Sequence, residues 1–584
     1  MSKIIDSISS PDDMKKLNVE ELKLLAADAR EGILNRVTQV GWHTGPNLAM
    51  VETTIAMHYV FNSPIDKFVF DVSHQSYTHK MLTGRKHGYF DENYFDIVSG
   101  YTAPEESDHD HFKIGHTSTG ISLACGLAKA RDLKKETSNI VAIVGDGSLG
   151  GGEALEGLNF ASELNSNLII VVNDNKYSIA ENHGGLYKNL KELRDTNGTA
   201  QNNIFKAIGL DYEYVADGHN VEDLITTFNK VKDSKTPVVV HVSTTKGKGY
   251  KFAEENPEAF HANSPFDKET GVFVNANDKS ENFYSVTIKY LLEKIKKDKT
   301  VVAVNAGTPA SMGFSKEVRE TMGENFVDVG IMEEHAIAMS SALAKGGCKP
   351  VFFIHSPFVL RICDQLSHDL ALNNNSAVMV ISWNGISSNE ETHQGSFDIA
   401  MIANIPNVVF LAPTTRQEYL AMLDWAVDQN DGPVVIRQPL GFVEASGEVR
   451  TNYDDINKFS VDEKGKDVAI IGLGHFYHLG KEVCEKLKVE GLTPTLINPQ
   501  FASSLDEDLL ESLKENHKVV VTLEDGVLDG GFGEKIARFY GDSNMKVLCR
   551  GGFKEFTDRM SLDFLYNRYG LTKGQIVEDV LGLL

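Results

Sequence analysis

The chain has 584 residues, 41% hydrophobic and 24% charged, with 82 acidic against 57 basic side chains and a formal charge of −25. That length exceeds one hydrophobic core and predicts three or four domains, and the acidity disfavours nucleic acid and anionic lipid as partners. Apolar runs such as VVAV, VFFI and VVFL fall far short of the roughly 18–20 residues of a membrane span, which excludes a membrane-spanning reading.

In chain order, the start MSKIIDSISSPDDMKK shows no secretory apolar core and carries acids that a transit peptide avoids. Short β-branched runs then alternate with helical periodicity: NIVAIVGDG, NLIIVVNDN, TPVVVHV, KTVVAVN, KPVFFIH, AVMVISW, NVVFLAP, KDVAIIG and KVVVTLED. Near-continuous apolar strands separated by helix-length segments predict an α/β chain with mainly parallel sheets flanked by helices. Polar stretches at 266–282 and 444–467 break this pattern and predict domains over 1–285, 286–448 and 455–584. Five scattered cysteines without paired spacing predict buried free thiols in a reducing, cytoplasmic setting.

The most informative segment is IVAIVGDGSLGGGEALEGLNFASELNSNLIIVVNDNKYSIA, a strand, a glycine-rich turn, a helix and a second strand. Gly145, Gly147 and Gly150 satisfy the dinucleotide pattern G-x-G-x-x-G, and Asp174 falls where a ribose-binding acid would lie. Asp146 argues against that reading, since a carboxylate beside a pyrophosphate is repulsive unless a cation lies between them. Mg²⁺ bridges phosphates to one or two protein oxygens. Asp146, the side chain of Asn175 at the end of the next strand and the carbonyl of Tyr177 make a plausible ligand set for it.

A GDG turn followed about thirty residues later by an Asn-rich strand end resembles the diphosphate–Mg²⁺ motif of thiamine-diphosphate enzymes. The resemblance extends from about residue 30 to the C-terminus and is closest to the 1-deoxy-D-xylulose-5-phosphate synthase family, within the transketolase superfamily. FDVSHQSYTHKMLTGR, GHTSTGIS, GKGYKFAEENPEAFHA, FVDVGIMEEHAIAMSSALA, HSPFVLRICDQLSHD and TLEDGVLDGGFGEKIA each resemble a segment of that family in the same order. A shortened segment after Leu186 departs from it.

The resemblance implies a transketolase-like fold of three domains: diphosphate-binding, pyrimidine-binding and transketolase C-terminal. It implies a homodimer, the cofactors thiamine diphosphate and Mg²⁺, and a small-molecule 2-oxo acid and aldehyde as substrates. Glu333 matches the catalytic glutamate at the aminopyrimidine N1′, and an apolar setting from Ile331, Met332 and Phe358 would keep it protonatable. His43, His74 and His393 match catalytic positions, with His43, His261, His355, Arg361 and His393 at the substrate. The cofactor is expected against His74, Gly115, His116, Thr117, Gly147, Ser148, Asn175, Ile179, Tyr250, Ile331, Glu333 and Phe358, and the metal against Asp146, Asn175 and Tyr177. Against this stand blander readings: Glu333 and Glu334 also favour a helix start, and a tyrosine after GKG also packs. Asp108-His109-Asp110-His111 invites a second metal, although its spacing suits a loop.

The pattern breaks at the acceptor end. Three family arginines line the phosphate pocket for glyceraldehyde 3-phosphate, and Arg361 retains the first. The family's D-R-A-G reads Ser382-Trp383-Asn384-Gly385 here, and R-Y-P-R-G reads Arg437-Gln438-Pro439-Leu440-Gly441. The segment before Thr392-His393 is altered to Ser388-Asn389-Glu390-Glu391, and His355 replaces a tyrosine. Each lost charge-assisted phosphate contact is worth about 1.5–3 kcal/mol, so two losses predict phosphate binding weaker by roughly 10²–10⁴-fold. The leading expectation is therefore a carboligase that decarboxylates pyruvate and adds the two-carbon unit to glyceraldehyde 3-phosphate or an altered aldehyde. A transketolase-type transfer from a sugar is the alternative, distinguished by the absence of CO₂ release. A NAD-dependent oxidoreductase and a silent binding paralogue are further alternatives, the latter disfavoured by retention of Glu333, Asp146, Asn175 and the histidines.

Overall fold

The computed structural model describes residues 3–275 and 280–584, so residues 276–279 of the expected first boundary lie outside the described residues. It divides into two compact units, Met1–Lys279 with Gly330–Met332, and Ser280–Val329 with Glu333–Leu584.

The first unit is built on a five-stranded sheet, entirely parallel, of β1 (Lys67–Phe70), β2 (Ile140–Gly145), β3 (Leu168–Asp174), β4 (Asp211–Val215) and β5 (Pro237–Ser243), in the spatial order β1-β2-β3-β5-β4. The strand period of two sorts its side chains cleanly. Ile140, Ala142 and Val144 join Ala124, Ala128, Ala154 and Leu158 of the helices Gly120–Lys134 and Gly152–Ala161 on one face. Val141 and Ile143 join Met57, Val60, Leu224 and Phe228 on the other. Burial on both faces explains why these strands read as continuous apolar runs rather than alternating ones.

The second unit carries a six-stranded parallel sheet of β6 (Val301–Asn305), β7 (Phe326–Asp328), β8 (Lys349–His355), β9 (Val378–Ser382), β10 (Val409–Leu411) and β11 (Val434–Arg437), ordered β10-β11-β9-β8-β6-β7. A five-stranded sheet follows, of β12 (Ser460–Glu463), β13 (Asp467–Gly472), β14 (Thr495–Asn498), β15 (His517–Val527) and β16 (Lys546–Gly552). It is parallel except at the edge strand β12. Phe352, Ile354, Met379 and Ile381 of the six-stranded sheet share one core with Ala469, Ile471, Ile497 and Val520 of the other, which joins the two sheets into one unit. All five cysteines are free; Cys125 and Cys484 are buried, while Cys348, Cys363 and Cys549 are only partly so.

In a parallel α/β sheet, loops at the carboxyl ends of the strands gather on one side, where ligands bind. His74 follows β1, Asp146 follows β2, Asn175 follows β3 and Lys246 follows β5, four neighbouring strands in the sheet. In the second unit, His355 ends β8, Trp383 follows β9 and Gln438 to Leu440 follow β11.

Candidate active site

The turn after β2 is a short 3₁₀ segment, Asp146–Gly150, running into the helix Gly152–Ala161. Asp146 is 1% exposed. Its Oδ1 accepts from Gly147 N at 2.9 Å, and its Oδ2 from Asn175 N at 3.2 Å and Lys176 N at 2.7 Å. It has no ion pair among the described residues, and burial, reinforced by Asp174, holds its carboxyl well above the usual range. Asp174 itself is held low: burial is outweighed by hydrogen bonds from His241 and Arg194. It is therefore a structural acid rather than a ribose ligand. Asn175 Oδ1 accepts from Tyr177 N at 3.2 Å, which keeps Asn175 and Tyr177 beside the aspartate. The glycines are required by close approach: a Cβ on Gly147 would lie 2.4 Å from Ser178 Cβ, and one on Gly151 2.1 Å from Ser118 Oγ. A buried carboxylate with no ion pair among the described residues, beside a turn without side chains, suits a divalent cation, so the residues present fit thiamine diphosphate with Mg²⁺.

Beside that turn lie three histidines. Ring centroids are 5.0 Å apart for His43 and His74, 5.5 Å for His74 and His261, and 5.8 Å for His43 and His261. Burial, then neighbouring His74 and Lys246, hold His43 well below the usual imidazole range; burial and Lys246 do the same to His261. Burial therefore keeps the His43 and His261 imidazoles neutral near pH 7. Trp42, Val72, Ser73 and Ser118 all adopt positive φ, at 80°, 59°, 64° and 78°. Such strain on non-glycine residues clusters where geometry matters to function, and here it flanks His43, His74 and the Gly115–Thr117 loop. Gly115 is buried, while His116 and Thr117 are partly exposed. Ser148 is buried in the turn, and Ile179 is half-buried just after Tyr177.

Two residues of this site were not singled out from sequence. Asn47 donates through Nδ2 to the carbonyls of both His43 and His74, at 2.7 Å each, and so ties the two loops together. Lys246 donates to the Ser178 carbonyl at 2.5 Å and sits 3.0 Å from His261 Nδ1. Burial pushes its ammonium down to about 7 although Asp146 opposes this. Its position immediately before the Gly247–Tyr250 GKGY segment was the available signal. Tyr250, by contrast, packs among Phe252, Phe260 and Phe266, its hydroxyl donating to the Lys268 carbonyl at 2.9 Å. The Asp108–His111 run is a structural network. Asp110 accepts from His79 at 2.8 Å, from Arg85 at 2.6 and 2.9 Å and from Ala103 N at 2.8 Å, and no metal cluster of three or more His, Cys, Asp or Glu occurs among the described residues.

In the second unit, Glu333 opens the helix Glu333–Lys345 and is 4% exposed. Burial raises its carboxyl and Arg361, at 3.5 Å, partly offsets the effect. Phe358 lies 5.8 Å from His393 edge-on and 6.3 Å from His355. His355 is buried, its Nδ1 2.8 Å from Ser382 Oγ and its Nε2 2.9 Å from Ser311 Oγ, and Trp383 stacks on it at 3.7 Å and 16°. Ile331 belongs to the three residues grouped with the first unit.

Comparison with known proteins decides the family. Residues 5–202 and 196–244 match the 1-deoxy-D-xylulose-5-phosphate synthase profile, 287–442 the transketolase pyrimidine-binding domain and 457–576 the transketolase C-terminal domain. The chain is 36% identical to the 1-deoxy-D-xylulose-5-phosphate synthase of Clostridium tetani, with 100% of each chain covered. It is 38% identical to that of Symbiobacterium thermophilum, over 99% of this chain and 94% of the other. The chain belongs to the 1-deoxy-D-xylulose-5-phosphate synthase family. As a member of this family it is a thiamine-diphosphate- and divalent-metal-dependent transferase, and its carboligase chemistry displaces the transketolase alternative. The NAD reading of the glycine turn falls with the same matches. No helix among the described residues is long and apolar enough to cross a membrane.

Proposed function

We propose that this enzyme joins the two-carbon unit of pyruvate to an aldehyde, and that it holds a phosphorylated acceptor weakly for its family. The reading is carried by where the arginines lie. Arg361 lies against Glu333, and Arg437, retained in the Arg437–Gly441 segment, is 3% exposed between two acids. Its Nε is 2.7 Å from Asp398 and its NH1 is 2.6 Å from Asp525. A guanidinium closed in by two carboxylates has no free donor edge for a phosphate. Trp383 and Leu440, 41% and 44% exposed, occupy the positions where the family resemblance puts the other two arginines. His355, held by burial at about 3, supplies no positive charge.

The proposed division of labour follows from chemistry already described. Thiamine diphosphate, when bound, supplies the nucleophilic carbon and the electron sink for decarboxylation. Asp146, Asn175 and the Tyr177 carbonyl would hold Mg²⁺, and the Gly147–Ser148 turn with Gly115, His116, Thr117 and Ile179 would hold the diphosphate. Glu333, kept protonatable by burial, would hold the proton at the pyrimidine N1′, and the family resemblance assigns Ile331 and Phe358 to the same cofactor. His43, His74 and His393 exchange protons with the substrate and, together with His261, bind its oxygens. Tyr250 supports this side from within its aromatic cluster. The three domains over 1–285, 286–448 and 455–584, the homodimer and the cytoplasmic setting belong to the same proposal. They are supported by family membership, the boundaries also by the spans of the three profiles.

The test is Leu440→Arg. Restoring one guanidinium should raise kcat/KM for glyceraldehyde 3-phosphate relative to glyceraldehyde by about tenfold. An unchanged ratio, on a wild type that already prefers the phosphorylated aldehyde strongly, would remove the proposal.

A further inference from the structure

The loop Trp383 to Gly395 leaves the end of β9 and is pinched at its base, where Gly385 N donates to the Gly395 carbonyl at 3.0 Å. Trp383 stands at the start of this loop with φ +53°, a left-handed conformation costly for a bulky side chain. One face of its ring is fixed by the stack on His355. His355 cannot turn to meet a ligand, because both ring nitrogens are taken by Ser382 and Ser311. The neighbouring ring, Phe358, continues the aromatic surface toward His393. The result is a flat, uncharged wall with no free donor on its imidazole, held rigid at the cost of a strained backbone.

We propose that Trp383, backed by His355, is the specificity-determining wall of the acceptor site and selects an uncharged aldehyde bearing a flat apolar or aromatic substituent. This rests on the carboligase reading given above and names its acceptor class. A preformed aromatic platform binds planar groups without ordering cost, and a ring pair adds attraction beyond the area it buries.

The experiment uses holoenzyme, pyruvate and three acceptors: benzaldehyde, D-glyceraldehyde and glyceraldehyde 3-phosphate. Wild type is expected to use benzaldehyde at least as well as glyceraldehyde 3-phosphate. In Trp383→Ala the benzaldehyde-to-glyceraldehyde ratio of kcat/KM should fall about tenfold or more, while Trp383→Phe should retain most of it. A readout independent of turnover is tryptophan fluorescence in a Trp42→Phe/Trp425→Phe background, where benzaldehyde should quench Trp383 saturably. An unchanged ratio in Trp383→Ala with pyruvate-dependent CO₂ release intact, or no saturable quenching, would overturn the aromatic wall alone. Absence of CO₂ release with every aldehyde in the wild type would instead overturn the carboligase reading.

Discussion

Asp146→Asn separates the metal role of the glycine-rich turn from its structural one. The substitution is isosteric. The oxygen kept at Oδ2 still accepts from Asn175 and Lys176, while the new amide faces Gly147 N and leaves that donor unsatisfied, at about 1–3 kcal/mol. Removing a buried charge offsets part of this cost in the cofactor-free protein. The cofactor-free variant should therefore melt within a few degrees of wild type. Saturation changes the comparison. With free thiamine diphosphate and Mg²⁺ at about a hundred times the wild-type Kd, wild type gains about 2.7 kcal/mol. At a little under about 2 °C per kcal/mol for a unit of this size, Tm should rise by roughly 5 °C. The variant, lacking the anionic ligand, should rise by less than a third of that. Differential scanning calorimetry, with Mg²⁺ varied at fixed thiamine diphosphate, reads both terms. An Mg²⁺-dependent shift in Asp146→Asn as large as in wild type would refute the reasoning.

Glu333→Gln should leave the thermal shift by thiamine diphosphate within about 2 °C of wild type while C2–H/D exchange, followed by NMR, slows by at least a hundredfold. Exchange at the wild-type rate would reduce Glu333 to a helix-start residue. Arg437→Leu should cost about 3–5 kcal/mol in urea unfolding, because Asp398 and Asp525 are left buried and unpaired; a loss below about 1 kcal/mol would deny the clamp. Glu524 is fully buried, accepting from Phe532 N and Gly533 N, and burial raises it to about 7. Its contribution is fully present below its unfolded value near 4.5 and is lost as pH rises through about 7, up to roughly 3 kcal/mol. Glu524→Gln should accordingly flatten the pH dependence of stability between about pH 5 and 7; an unaltered slope would contradict this.

What could be read from sequence was what depends on local spacing. The Gly145–Gly151 turn, Asp146 and Asn175 follow from strand, turn and helix lengths, and parallel sheets follow from doubly buried strands. What could not be read depends on segments distant in the chain. Asn47 matters because its amide reaches His43 and His74, the latter 27 residues away. The fate of Arg437 depends on Asp525, 88 residues on, and no local pattern tells a phosphate-binding arginine from one locked in a buried clamp. The substitution of Trp383 for a family arginine was visible only as a lost charge. The stack on His355, whose serine partners come from β9 and from the loop after β6, turns that loss into a defined surface. Tyr250 shows the opposite limit: its motif position suggested the cofactor, and its side chain is spent on an aromatic core.

The most direct test of the central claim, intact cofactor chemistry with a rebuilt acceptor end, is the wild-type ratio of kcat/KM for glyceraldehyde 3-phosphate over D-glyceraldehyde with pyruvate as donor. Pyruvate-dependent CO₂ release with a ratio below about ten is the predicted result, because one of three phosphate-binding arginines remains and it lies against Glu333. A ratio above about a thousand would contradict the account and show that another basic group has taken over the phosphate.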